Sequence, residues 1–508
     1  VSWSTDSGTV SPATSATDEN GLVTTQLSDT GDIGKATITA SLDNGKQATQ
    51  VVSVQKEIML VIRGGRRRIG YNRDWQSAIV ALDQQTGLPV DVIWKYQGDE
   101  TSSITSRFFD PSPAQELHVT SGAETIILAP VNIAGNTYYD SAHDLFSARE
   151  LQGNVVAWGY TPYGGSVPDE IASHSDLQSL ASTHGSMAAL TISGGVVAWG
   201  YTPYGGSVPD EIASRNDLNA LAGSNDAFAA LTKSGGVVTW GDTSNGGSVP
   251  TEIATRTDLI TLSATQSAFA ALTKSGGVVT WGNTSNGGNV PTAIATRNDI
   301  EALYSSSVSF AALTATGGVV TWGSGGDVPV EIATRSDLVT LCGTDSAFAA
   351  LTLSGGVVAW GNSSNGGNVP AEIETRTDLV ALAATSAAFA ALTKTGGVIT
   401  WGSSSAGGAV PVEIATRNDL ITLTGNGTAF AALTKSGNVV TWGNRTNGGT
   451  IPEDREPLLT DIMAVYSNPT AFIALKADNT VIVWGAGTSS QTEKIPTSLQ
   501  SNISYYQK

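Results

Sequence analysis

A segment of the form Val-Val-Thr-Trp-Gly recurs along this chain, with its tryptophan at positions 158, 199, 240, 281, 322, 360, 401, 442 and 484. Successive tryptophans are 41 residues apart, except for a step of 38 up to Trp360 and one of 42 up to Trp484. A fixed period near 40 residues marks one supersecondary unit that cannot bury its apolar surface alone and does so against copies of itself. Each unit contains an Asp-Leu segment, an Ala-Phe-Ala-Ala-Leu-Thr segment, a glycine turn and the tryptophan segment, as in residues 258–282. These segments are short, rich in Val, Thr and aromatics, and bounded by Gly, Ser or Asn, so they read as three strands. No stretch has the length and 3.6-residue period of a helix. In residues 235–241 Val238 and Trp240 share one face and Val237 and Thr239 the other, both largely apolar, which places each small sheet between two others.

Small sheets repeated radially and buried on both faces predict an all-β fold dominated by a β-propeller of about nine short, three- to four-stranded blades, over residues 144–508. The first unit lacks its Asp-Leu segment, yet Phe146 and Trp158 keep the spacing of Phe228 and Trp240. The C-terminal Ile503-Ser504-Tyr505-Tyr506 has the character of an unpaired leading strand. The expectation is that strand 503–506 completes the first blade and removes an open sheet edge; an open spiral of stacked blades is the alternative. Upstream, residues 1–55 alternate apolar and polar as a β-sandwich truncated at its start, and residues 56–143 form a smaller β-rich, sandwich-like connecting domain without repeats. The opening Val1-Ser2-Trp3-Ser4-Thr5 reads as the middle of a strand, and no signal peptide precedes it, which predicts a fragment of a longer protein.

Composition narrows the partners. The 508 residues include 57 Gly, only 14% charged residues and a formal net charge of −19, which argues against nucleic acid and anionic lipid as ligands. No apolar run approaches the roughly 18 to 20 residues that span a bilayer as a helix, so direct membrane insertion is not expected. The single cysteine, Cys342, excludes an intrachain disulfide. Sister repeats carry Ser, Ala or Thr at its position, and the reading is a small buried strand residue, with a reactive thiol as the alternative.

Two resemblances rest on specific residues. Thr17, Asp18 and Gly21, followed by Gly34 to Ala40, resemble the turn and strand of the bacterial Ig-like domains of intimin and invasin adhesins. The pattern Ala-Leu-Thr-x-x-Gly-x-Val-x-x-Trp-Gly, as at Ala230 to Gly241, resembles propellers of the regulator of chromosome condensation class, in the short bacterial form also found in a propeller-type β-lactamase inhibitor. The two together imply the distal passenger of an intimin-like inverse autotransporter, displayed on a bacterial cell surface and anchored in the outer membrane by an upstream region. No exchange-factor loop matches residue by residue, so the nuclear exchange activity is not carried over.

Positions shared by all repeats read as structural, and variable positions are where binding is encoded. The shared segment Val-Pro-x-Glu-Ile-Ala-Thr-Arg-x-Asp-Leu puts Glu252, Glu331 and Glu413, Arg256, Arg297, Arg335, Arg376 and Arg417, and Asp258, Asp299, Asp337, Asp378 and Asp419 in rings of charge, read as blade-to-blade ion pairs. Acid-base catalysis by paired carboxylates needs unequal environments, which a ring of equivalent positions does not supply. His118, His143, His174 and His184 lack ligand spacing, no Gly-x-Ser-x-Gly elbow is present, and Asp18 fits a turn better than a calcium loop. No catalytic residue, metal or cofactor is expected. The loop after Trp-Gly, by contrast, reads Tyr-Thr-Pro-Tyr-Gly-Gly in the first two units and is rich in Ser, Asn and Gly in the others. Tyr160, Tyr163, Tyr201 and Tyr204 therefore form the candidate partner-binding patch, since tyrosine offers large contact area at low entropic cost. The alternative is that they pack on Pro162 or Pro203 to stiffen the loops. Arg63, Arg66, Arg67, Arg68 and Arg73 form a positive island, read as a solvated or ion-paired loop, with contact to an anionic glycan as the alternative. The functional expectation is a monomeric, non-enzymatic cell-surface adhesin fragment whose propeller rim binds a protein or glycan on a host or neighbouring cell. A secreted inhibitor or regulator that caps a partner enzyme is the alternative.

Overall fold

The computed structural model describes all residues except 7–8, 21, 29–33, 55–59, 64–78, 87, 100, 109, 111–114, 123, 129–132, 138–144, 151, 326, 487–505 and 508. Nine antiparallel three-stranded sheets follow one another along the chain. In blade 3, Leu218–Gly223 lies innermost, Ala227–Thr232 in the middle and Val237–Gly241 outermost, and the other blades repeat this order. Successive inner strands are neighbours all the way round. The ninth, Ile462–Ser467, lies beside the first, Ile133–Gly135, so the blades form a closed ring rather than a spiral.

Each blade has one small and one large face. In blade 3, Ala227, Ala229, Leu231 and Val237 pack against Leu259, Phe269, Ala271 and Trp281 of blade 4. Phenylalanine and tryptophan are directly opposed in the ladder, as Phe269 with Trp281, and their rings stack with centroids 5.4 Å apart. An alanine-rich face accepts that bulky pair from the next blade, which is how sheets this small reach the density of a protein interior.

Two belts of backbone hydrogen bonds tie the blades together. At one mouth of the ring the N–H groups of His184, Asn225, Gln266, Asp345, Ser386 and Gly427 donate to the carbonyls of Asn225, Gln266, Ser307, Ser386, Gly427 and Pro469 in the following blades, at 2.6 to 3.0 Å. Between blades 5 and 6 the Ser307 hydroxyl reaches Asp345 Oδ1 at 2.6 Å. Pro469 has no N–H to pass the belt on to blade 1, and the two blades there share a packed core. Phe146, Ala148 and Trp158 of blade 1 share a core with Met463, Tyr466 and Ile473 of blade 9. At the other mouth, the first residue of an inner strand donates to a hairpin glycine of the preceding blade, as Leu218 to Gly194 at 2.8 Å.

Three expectations need correction. Tyr506–Gln507 pairs with Leu128 and Ile127 of the connecting region and not with the first blade, while residues 503–505 lie outside the described residues. The first blade takes its inner strand from Ile133–Gly135, ahead of the expected boundary at residue 144, so it needs no C-terminal strand. The Val-Pro-x-Glu-Ile-Ala segments are one-turn helices, as at Thr251–Ala254, in which proline presets the entry and one isoleucine is buried. A single turn is too short to show a helical period.

The connecting region forms two sheets. One contains Leu60–Arg63, Ile79–Asp83 and Arg107–Phe108. The other contains Val92–Tyr96, Ser103–Thr105, Leu117–Ser121 and Glu124–Leu128, with Tyr506–Gln507 at its edge. Trp94 stacks on Phe108 between them, with centroids 5.1 Å apart. The region packs into the mouth of the ring that holds the hairpins. Val80 and Leu82 join the core of blades 8 and 9, and Leu60 and Ile62 pack with Met463 and Tyr466. Each inner strand of blades 2 to 9 carries a bulge at its second residue. That residue is buried under the plug in blade 8 (Ile421, 0% exposed) and blade 9 (Met463, 4%) but open in blade 4 (Ile260, 50%) and blade 6 (Val339, 44%). The plug is therefore off-centre. At the N-terminus, Ser2–Thr5, Gly34–Ser41 and Gln47–Val54 form one sheet, and Thr9–Ser11 pairs with Gln26–Ser28. The Asp18 carboxylate accepts from the N–H groups of Asn20 and Leu22, the turn geometry expected of it.

Candidate functional site

All blades that carry the full-length loop after Trp-Gly fold it the same way. In blade 3, Thr243–Asn245 makes a single 3₁₀ turn ended by Gly246 at φ +93°, and the Ser224 hydroxyl donates to the Asn245 carbonyl at 2.8 Å. In blade 2 the Thr183 hydroxyl holds the Tyr204 carbonyl at 3.0 Å in the same manner, and Ser186 holds that of Tyr201 at 2.7 Å. The backbone is thus common, and the side chains are free to differ.

The tyrosine loops differ in a way that lowers their own stability. Asp242 caps its turn by accepting from the N–H groups of Ser244 and Asn245, and Asn283, Asn362 and Asn444 cap theirs similarly. Tyr160 and Tyr201 occupy the same capping position and supply no such acceptor, and Ser403 of blade 7 makes no cap bond either. A lost side-chain cap costs on the order of 1 kcal/mol. Pro162 and Pro203, which preset the backbone within the turn, offset part of it.

All four tyrosines come together. Tyr160 meets Tyr163 edge to face at 5.1 Å between centroids, Tyr163 lies 5.8 Å from Tyr201 and 6.3 Å from Tyr204, and Tyr201 meets Tyr204 edge to face at 4.8 Å. One continuous aromatic surface therefore bridges two blades. Gly185 forms its floor, since a Cβ there would stand 2.9 Å from the Tyr163 ring and 3.1 Å from that of Tyr204. Tyr201 remains 42% exposed and the other three are half-buried. His184, which the sequence reading treated only as a poor metal ligand, extends the patch: its ring lies 6.4 Å from Tyr204 and its Nδ1 3.3 Å from Asp226 Oδ1. Its place in the turn beside Gly185 was legible, but its contact with a loop 20 residues away was not.

The other candidates are scattered. His118 contacts Glu116 at 2.8 Å in the plug and His174 contacts Asp176 at 2.9 Å, while His143 lies outside the described residues. Among the described residues no three His, Cys, Asp or Glu side chains gather as a metal site. The expected blade-to-blade ion pairs are instead formed two residues apart within one connection, as Arg256 with Asp258 at 2.6 Å, and Arg215 with Asp217 adds one more. A rigid Arg-x-Asp turn lets the guanidinium fork reach the carboxylate locally, before any neighbouring blade comes within range. Arg63 donates to the Ile462 carbonyl, and Arg66, Arg67, Arg68 and Arg73 lie outside the described residues. Cys342 is buried within its strand, opposite Ala349.

No protein-family model matches the chain, and no curated protein does. Solved structures similar to it include the ectodomain of the Physcomitrella patens receptor kinase CR4, at 16% identity over 56% of this chain and 76% of that one, with a TM-score of 0.36. Prp20p from Saccharomyces cerevisiae is similar at 16% identity over 51% of this chain and 77% of that one, with a TM-score of 0.33. The computationally designed Ika8 protein is similar at 15% identity over 61% and 96% of the respective chains, with a TM-score of 0.36.

Proposed function

We propose that this chain is a non-enzymatic binding protein, displayed on a bacterial cell surface, that engages a protein or glycan on another cell through the tyrosine-bearing mouth of its ring. The observation that carries this reading is the aromatic surface of Tyr160, Tyr163, Tyr201 and Tyr204. It is built on a backbone that five other blades share without the tyrosines, and it forgoes the side-chain cap that four of those five retain. Aromatic side chains that weaken their own loop and remain partly exposed are the composition of a contact surface. The plug packs at the opposite mouth, away from the tyrosines. The resemblances at Thr17 to Ala40 and Ala230 to Gly241 support the further reading as an adhesin of the intimin and invasin type.

The test is a variant with all four tyrosines replaced by serine, assayed for adhesion of the purified chain to a panel of cells and to a glycan array. Adhesion should be lost while the thermal unfolding midpoint stays within a few degrees. Undiminished adhesion overturns the site. The full reading frame tests the display: an upstream outer-membrane barrel supports it, whereas a cleavable signal joined directly to Val1 favours a secreted inhibitor.

A further inference from the structure

The edge of the plug meets blades 6 to 8 across two adjoining cavities of about 530 and 360 Å³. Pro89, Arg107 and Lys394 line both, and Lys435 lines the smaller. Arg107 lies on the short strand Arg107–Phe108 and points its Nη1 at the Ile421 carbonyl, 2.7 Å away, where the bulge of blade 8 leaves that carbonyl outside the ladder. That is the only acceptor its guanidinium has among the described residues, and no carboxylate stands against it. Lys394 and Lys435 occupy the hairpin tips of blades 7 and 8, where their N–H groups donate to the carbonyls of Asp378 and Asp419, whose carboxylates are paired with Arg376 and Arg417. Three cations thus converge on one crevice in a chain of net charge −19 with 45 acidic residues available to pair them. A largely buried guanidinium is normally matched by an anion, because desolvation is otherwise uncompensated. Burial lowers the pKa of Arg107 to about 10, which still leaves it charged at neutral pH.

We infer that the crevice between the plug and blades 6 to 8 binds a small oxyanionic ligand, one that presents a phosphate, sulfate or carboxylate group to the free edge of Arg107, with Lys394 and Lys435 as flanking cations. The planar guanidinium suits bidentate recognition of such a group, and the lysines act as point charges. The site is remote from the tyrosines and does not rest on their role.

The full chain is titrated by calorimetry with inorganic phosphate, sulfate and glucuronate, each against sodium chloride of matched ionic strength, and the three probes distinguish the possible head groups. Saturable binding of at least one is expected, weakened tenfold or more by Arg107→Met and severalfold by Lys394→Ala and Lys435→Ala. The absence of saturable binding above the chloride control for all three overturns the proposal, as does binding that the variants leave unchanged. If Arg107→Met does not fold, the Lys394→Ala/Lys435→Ala pair, at the tips of hairpins, decides by the same criterion.

Discussion

The indole Nε1 of Trp240 donates a 3.0 Å hydrogen bond to the carbonyl of Gly205, in the loop of the preceding blade. The same bond recurs from Trp199, Trp281, Trp322, Trp401, Trp442 and Trp484 to Gly164, Gly246, Gly287, Gly366, Gly407 and Gly448. Among the described residues Trp158 and Trp360 lack it; the loop that precedes Trp158 around the ring lies outside the described residues, and Trp360 is the informative case. Its Nε1 is buried with no acceptor among the described residues, and the loop before it is the shortened Ser-Gly-Gly-Asp at 324–327, three residues shorter than in the other blades that bear the bond.

This contrast isolates the hydrogen bond from the packing. Trp240→Phe removes both and should cost on the order of 3 kcal/mol, whereas Trp360→Phe removes only ring area and should cost about 1 kcal/mol less. Urea unfolding of the two variants measures the difference, and equal losses would show that the bond contributes nothing net.

The glycines that accept these bonds are constrained twice. Gly246 sits at φ +93°, and a Cβ there would lie 2.6 Å from the Phe269 ring of blade 4. Gly246→Ala should therefore destabilise by roughly 2 to 4 kcal/mol, through backbone strain and overpacking together. Gly325 sits at φ +70° with nothing near its Cβ, and Gly325→Ala should cost only about 1 kcal/mol. Differential scanning calorimetry of both variants checks the order.

Restoring a cap to a tyrosine loop should separate stability from binding. Tyr201→Asp combined with Pro203→Ser recreates the Asp-Thr-Ser arrangement of 242–244, in which the carboxylate accepts from Ser244 N–H at 2.8 Å. The double variant is expected to gain about 0.5 to 1 kcal/mol in stability and to adhere more weakly. A variant that adheres as well as the native chain would mean that Tyr201 is not part of the contact.

The Arg-x-Asp pairs should matter little one at a time. Arg256 and Asp258 are each about a third exposed, at 34% and 36%, so solvent screens their attraction. Arg256→Ala should cost less than about 1 kcal/mol. A loss of several kcal/mol in chemical unfolding would refute the local reading of these pairs.

Arg107 makes a pH-dependent prediction. Its pKa is lowered by desolvation from the ordinary arginine value to about 10, so the folded state holds its proton less tightly than the unfolded state. Its burial therefore opposes folding below about pH 10, and the penalty is relieved as the pH rises from there. Without an oxyanion present, Arg107→Met should be neutral or stabilising at pH 8 despite the lost bond to Ile421. Relative to that variant the native chain should gain stability between pH 10 and 11, measured as the difference in unfolding free energy.

Much of this architecture is written in the period of the sequence. Strand length, the turn glycines, the opposed phenylalanine and tryptophan and the two apolar faces are local properties, and together they require blades stacked against blades. The four tyrosines were legible for the same reason, since a common loop with two deviant copies stands out without any knowledge of where it lies. Other features depended on contacts between distant parts of the chain. The sequence could not say that Ile133–Gly135 supplies the first inner strand, that Tyr506–Gln507 goes to the edge beside Glu124–Leu128, or that Arg107 would be carried under blade 8. A short apolar strand is compatible with any open edge, and which edge it meets is fixed only when the ring closes and its mouths take shape. The repeat alone determined that this chain is a ring or spiral of small sheets. Closure, the plugged mouth and the gathering of the tyrosines on the other mouth were decided by tertiary packing, because each depends on which surfaces remain unburied once all nine blades are in place.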